Sequence, residues 1–238
     1  MDSIERLLKL FRDEVITACW AFFVWKTINN MASGDPEVHK ALNENAVSWN
    51  IITHSLQNTF FVTLGRIFDV DGNAFSIHAF LRACIENIGQ FSVESLRERK
   101  LRDAKSEIPD WLGEYLSDAY VPCESDFQRL RGETSKRQKQ YEEIYRPIRN
   151  KIIAHKEQQT IETADDFFGK TSIGQIEEIL NFLFQVQSII FQLFFNGRLC
   201  SIGDFTFDED NYVQDDVEGM LRRLKSQPVV SPDDCATR

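Results

Sequence analysis

The sequence predicts an all-α protein, a bundle of long antiparallel helices with extra short ones. Three observations carry this. No stretch of any length alternates Val, Ile or Thr with polar residues, as a half-buried strand would. Apolar residues instead return at spacings of three and four almost everywhere. Capping residues also stand ahead of several of these periodic runs.

From Ser3 to Met31, the residues Ile4, Leu8, Phe11, Val15, Ala18, Phe22 and Trp25 advance by fours and threes. They form a seam of heptad type, which Trp20 and Phe23 broaden. Asp35-Pro36 then reads as an N-cap with proline at the first helical position. The helix it opens extends to Phe68, where "DVDGN" stops it. Ser76 caps "IHAFLRACIENIGQF" and Ser92 starts a short continuation. A short helix follows Pro109. "ESDFQRLRGETSKRQKQYEEIY" reads as a long polar helix weakened at Gly132.

Pro147 either kinks that helix or begins a new one, because its ring removes a hydrogen bond and clashes with the preceding turn. Residues 156–171 read as a loop, and "SIGQ" at Ser172–Gln175 has capping-box spacing before a helix to about Phe195. "DDVEGMLRRLK" is a final short helix. These boundaries divide the chain into a bundle over 1–200, an extension over 201–226 and a loose tail over 227–238.

The most apolar run, "ILNFLFQVQSIIFQLFF", is interrupted by Asn181, Gln185, Gln187 and Gln192. Four amides in so short a stretch argue for a core helix and against a membrane span. Five cysteines lie far apart with no CxxC pair, pointing to a reducing compartment, the cytoplasm, and giving no structural zinc site. No HExxH, EF-hand or phosphate-loop spacing occurs, so neither a metal nor a cofactor is implied. His39, His54 and His78 are scattered; His54, between Ile51 and Phe61, reads as a core or boundary residue. Arg66 and Asp69 are spaced as an i,i+3 pair, and Cys19 and Cys84 read as core thiols.

The net charge of −10 disfavours a nucleic-acid partner, but its distribution does not. Residues 129–156 hold nine Lys or Arg against Glu133, Glu142 and Glu143, a local charge of +6. Such a patch attracts phosphates in a salt-dependent way. Residues 204–218 hold seven acids and no base, and read as a solvated loop.

Within the basic stretch lies "RNKIIAH", Arg149 to His155. Arg149 offers a forked donor set suited to phosphate oxygens, and His155 exchanges protons near neutral pH. Asn150 can orient either. On one continuous helix Arg149 and His155 stand about 120° apart around the axis and about 9 Å apart along it. Three arrangements therefore stay open: the arginine curls back, the helix ends before His155, or two chains share the site. Taken without further context, the string also fits the edge of a buried helix.

"RNKIIAH" resembles the Arg-x(4–6)-His signature of the HEPN superfamily. The flanking helices, with "TLGRIFD" at Thr63–Asp69, resemble its abortive-infection, AbiU-type branch over about residues 5–200. This resemblance implies a HEPN-like helical bundle, commonly dimeric. The implied activity is metal-independent ribonuclease in toxin–antitoxin or antiphage systems. Arg149 and His155 would be the catalytic pair and Asn150 their support. Arg146, Lys151, Lys156, Lys139 and Arg137 would contact phosphates of RNA, either tRNA or mRNA. The expected partners are RNA, a second copy of the chain and a cognate antitoxin protein, with no membrane. A helical module that binds RNA or a partner protein without catalysis is the alternative.

Overall fold

A computed structural model describes residues 3–69, 75–102, 108–148, 172–207 and 212–225. Among these residues the structure is helical, with no strand. Two compact units make up the chain, one from Met1–Cys19 and Phe60–Glu209, the other from Trp20–Thr59 and Asp210–Arg238.

Helix α1 (Ile4–Gly34) follows the seam read from its spacing. Ile4, Leu8, Phe11, Val15, Ala18 and Phe22 are all buried. Trp20 departs from expectation, at 48% exposed. It sits one position beyond Cys19, outside the buried stripe, and its indole Nε1 donates to the Tyr212 hydroxyl at 2.6 Å. An indole suits this boundary because one end is apolar and the other bonds.

In the second unit, Asp35 caps α2 (Pro36–Glu44), its carboxylate accepting from the amides of Glu37 and Val38. The helix does not run on to Phe68. It breaks at Asn45, whose φ of −124° leaves the helical region, and α3 (Ala46–Ile67) starts afresh. Asparagine competes with the helix for its own backbone bonds, which makes it a natural break. Ile28, Val38 and Leu42 pack with Val217 and Leu221 of α9 (Tyr212–Lys225). Part of the acidic stretch expected as a loop is therefore this helix. Its acids face out while Val217 and Leu221 face in. His54 is exposed, as are Ile51 and Ile52, so it is not a core histidine.

The first unit has a large aromatic core. Phe11 and Phe80 lie 5.2 Å apart, Phe60 and Phe61 4.6 Å, and Phe91 packs on both Phe127 and Phe194. Each fully buried ring contributes about 1.5–3 kcal/mol. Ser76 caps α4 (Ile77–Glu86) by accepting from the Ala79 amide. A 3-10 turn, Ile88–Phe91, leads to α5 (Val93–Arg102), and Ser92 caps it through the Ser95 amide. Arg66 bonds Glu14 of α1 at 2.7 Å in place of the i,i+3 pair with Asp69. A carboxylate on a facing helix met its fork better than one on its own turn. Cys19 and Cys84 are core thiols, both pushed up by burial.

After the short α6 (Leu112–Ser117) comes α7 (Glu124–Gln140). Its first turn is tied down by Asp126. That carboxylate accepts from the Cys123 amide (2.9 Å), the Tyr120 hydroxyl (2.8 Å) and Arg129 (2.9 Å). Burial works to raise its pKa, and these bonds together hold it below the ordinary carboxylate range. Gly132 does not interrupt α7. Phe127, Leu130 and Thr134 are buried on either side, and packing outweighs the local cost of glycine.

The last long helix of the unit is α8 (Ile173–Phe191), continued by a π-turn over Gln192–Asn196. By length and composition Ile173–Asn196 is apolar enough to cross a membrane, yet 56% of its most apolar 18-residue window is buried in the protein. Burial of this kind is that of a core helix.

Candidate nucleic-acid site

The backbone leading to the site is set by Pro147. Proline has no amide proton, and its ring clashes with the carbonyl four residues back. The chain answers with a π-turn over Tyr141–Tyr145, in which the Arg146 amide reaches the Tyr141 carbonyl. Arg146–Ile148 then resumes α-helical geometry. The proline is thus accommodated by one widened turn, after which helical geometry resumes. Widened turns of this type recur at functional sites.

Two tyrosines lock the widened turn to the core. Tyr141 stacks on Phe68, rings 5.2 Å apart and 21° from parallel, and Tyr145 sits 6.2 Å from Phe61. Phe68 belongs to the "TLGRIFD" stretch. The Tyr145 hydroxyl donates toward the Ser172 carbonyl and the Gln175 Oε1, each at 3.4 Å. Burial pushes this phenol up to about 12. Tyr145 and Ser172 stand on opposite sides of residues 149–171, so one side chain joins the two ends of that stretch. Gln175 is drawn to this bond, and Ser172 makes no side-chain cap; the expected capping box does not form.

Arg149, Asn150, Lys151, His155 and Lys156 lie outside the described residues. The three predicted phosphate contacts that are described all face carboxylates. Arg137 lies 3.7 Å from Glu178 of α8 and over the Phe182 ring at 5.8 Å. Lys139 lies 3.9 Å from Glu143, and Arg146 3.9 Å from Glu142. These are long, partly exposed pairs, worth between nothing and about 1 kcal/mol each. They can exchange a carboxylate for a phosphate at small cost.

The sequence did not point to His78. It projects from α4 toward α7, where its ring bonds Gln138, and Gln138 donates to Glu142 at 2.8 Å. Burial lowers its pKa; the Gln138 bond opposes this, Arg131 and Arg82 add to it, and Glu142 opposes it. The one available signal was negative: His78 stands two positions after the Ser76 cap, a position that says nothing about what a neighbouring helix will bring. Tyr145 was missed for the same reason, since its partners lie 27 and 30 residues away. Among the described residues, no group of three or more His, Cys, Asp or Glu side chains is gathered as a metal would require.

The HEPN family model for AbiU2 matches residues 1–219. No curated protein and no solved structure matches the chain. The matched span includes the RNKIIAH stretch, the TLGRIFD helix end that Tyr141 stacks on, and the core helix α8 that follows them. The chain therefore belongs to the AbiU2 family, in the abortive-infection branch of the HEPN superfamily.

Proposed function

We propose that this protein is a metal-independent endoribonuclease, the toxic effector of an antiphage or toxin–antitoxin system. The observation that carries this reading is the pairing of Arg149 with His155 in "RNKIIAH", inside a chain of the AbiU2 family. An imidazole accepts the proton of a ribose 2′-OH as that oxygen attacks phosphorus. The bond from phosphorus to the 5′-oxygen breaks, and the leaving oxygen takes a proton from a second imidazole. The products are a 2′,3′-cyclic phosphate and a 5′-hydroxyl. Arg149 stabilises the charge that grows on the non-bridging oxygens, and Asn150 orients the groups.

Acid and base together call for two imidazoles, and each copy of the motif has one. A two-fold dimer with both motifs at one cleft meets that need. Arg146, Lys151, Lys156, Lys139 and Arg137 contact the flanking phosphates. RNA, a second copy and a neutralising antitoxin are the partners of this reading, acting in the cytoplasm.

One observation favours a second reading, a helical module that binds without catalysis. Each described basic residue of the predicted phosphate set already faces a carboxylate. Incubating bulk RNA with the purified protein in chelator separates the two. Wild type should cut, and His155→Ala should lose about 10²–10⁴-fold in rate. Equal cutting by both, or cutting by neither, refutes the nuclease.

A further inference from the structure

Four amides interrupt the apolar run of α8 and its π-turn, and three of them bond within the fold. Asn181 Oδ1 accepts from the Phe207 amide at 3.3 Å, and Gln185 Oε1 accepts from the Gly203 amide at 3.0 Å. Gln192 Oε1 accepts from Asn196 Nδ2 at 2.8 Å. The first two fasten the 201–207 loop onto α8. Gln187 differs. It is only 5% exposed, and its side-chain amide bonds to none of the described residues. Its amide atoms are not sealed in the core as those of a buried, unsatisfied group would be; they reach the open space beside the helix.

Gln187 lines a cavity of about 200 Å³. Phe184, Phe191 and Phe205 supply aromatic walls, the last on the loop that Asn181 and Gln185 hold in place. Ser188 adds a hydroxyl, and the exposed Arg12 of α1 adds a guanidinium with no ion pair among the described residues. No carboxylate lines the cavity. An apolar pocket with a few convergent polar groups is the usual form of a small-ligand site.

We propose that this cavity binds a nucleobase that carries a phosphate, with Gln187 reading the edge of the base. A primary amide presents one donor edge and one acceptor, the complement of a base edge. The phenyl rings accept the flat faces of a base, as aromatic side chains do in single-strand recognition. Arg12 faces the phosphate, which the absence of any lining acid leaves unopposed. A wholly apolar ligand would cover the Gln187 amide without giving it a partner. The cavity holds one base, with ribose and phosphate outside at the mouth. That base belongs either to an RNA strand or to a free mononucleotide. The site does not depend on the nuclease reading, because binding here is measured without cleavage.

The test is titration calorimetry of the full chain with AMP, GMP, CMP and UMP, and with a 2′-O-methyl RNA octamer that cannot be cut. Wild type should bind one of the four at least about tenfold better than the weakest. Gln187→Leu should weaken that binding about tenfold and level the four bases. Arg12→Gln should weaken the mononucleotide about tenfold and leave the matching nucleoside unchanged. An octamer that displaces the mononucleotide, or binds alone with the same dependence on Gln187, identifies an RNA strand. A mononucleotide that the octamer does not displace identifies a free nucleotide. The proposal fails if nothing binds saturably, or if wild type and folded Gln187→Leu bind alike. It also fails if Gln187→Leu alters only self-association.

Discussion

Helices α7 and α8 lead into and out of the segment that carries RNKIIAH, and both end in a π-turn, yet they are held by opposite means. On α7 a narrow stripe of Phe127, Leu130 and Thr134 is buried, and the outer face is a run of charges paired at up to 3.9 Å. On α8 Ile176, Ile179, Leu180, Phe182, Leu183, Val186, Ile189 and Ile190 are all buried, covering about half of its circumference. Burial is worth about 1.5–3 kcal/mol per large side chain; exposed ion pairs are worth about 0–1 kcal/mol. The same family frame therefore offers a fixed platform on one side and an adjustable electrostatic surface on the other. A site that meets a polyanion has use for both, since the platform keeps geometry while the charges exchange partners.

The largest expected effect attacks the platform. Leu183→Ala, at a fully buried position, should lower stability by about 2–5 kcal/mol in a denaturant titration. Glu143→Gln on α7 should move it by no more than about 0.5 kcal/mol. Similar costs for the two would break the contrast.

Tyr145 ties the two sides together, so Tyr145→Phe comes next. Loss of two long hydrogen bonds should cost about 0.5–1.5 kcal/mol. The sign of its pH dependence follows from a phenol raised from about 10 to about 12. Its contribution is fully present below pH 10 and is lost as pH climbs through 12. Denaturation across pH 9–12 should show that loss in wild type and not in the phenylalanine variant.

Smaller again, and of opposite sign, is Gly132→Ala. Gly132 is exposed in the interior of α7, and an added methyl would meet nothing within 4 Å. Thermal melting should show a gain of about 0.5–1 kcal/mol. A loss would mean that α7 needs the flexibility there.

The smallest effect on stability, and the sharpest on charge, is Glu142→Gln. It removes the partner of Arg146 and should leave melting almost unchanged. If Arg146 contacts phosphate, RNA binding should tighten and its dependence on log salt should steepen by about 0.7, as for one more neutralised phosphate on a single strand. An unchanged slope would place Arg146 outside the RNA path.

Much of α2, α4 and α5 could be read from the chain because capping and periodicity are short-range. Ser76, Ser92 and Asp35 act on amides two or three residues away, and the structure shows those bonds. The α1 seam was legible for the same reason, one turn at a time. Misreadings gathered where a local rule met a competitor: Asn45 against the helix around it, Gly132 against its buried neighbours, and Ser172 and Gln175 against a tyrosine hydroxyl from another helix.

By itself the sequence determined the helical class, nearly all helix starts, the buried seam of α1, and the Arg149–His155 signature with the family it indicates. Only the tertiary structure decided that Pro147 is absorbed by a widened turn, that Arg66 answers Glu14, that Arg137 faces Glu178, and that Gln187 is buried beside a cavity. The physical reason is distance along the chain. A helix is fixed by contacts within about four residues, whereas the partners of these side chains lie on other helices or loops, where only packing brings them within reach.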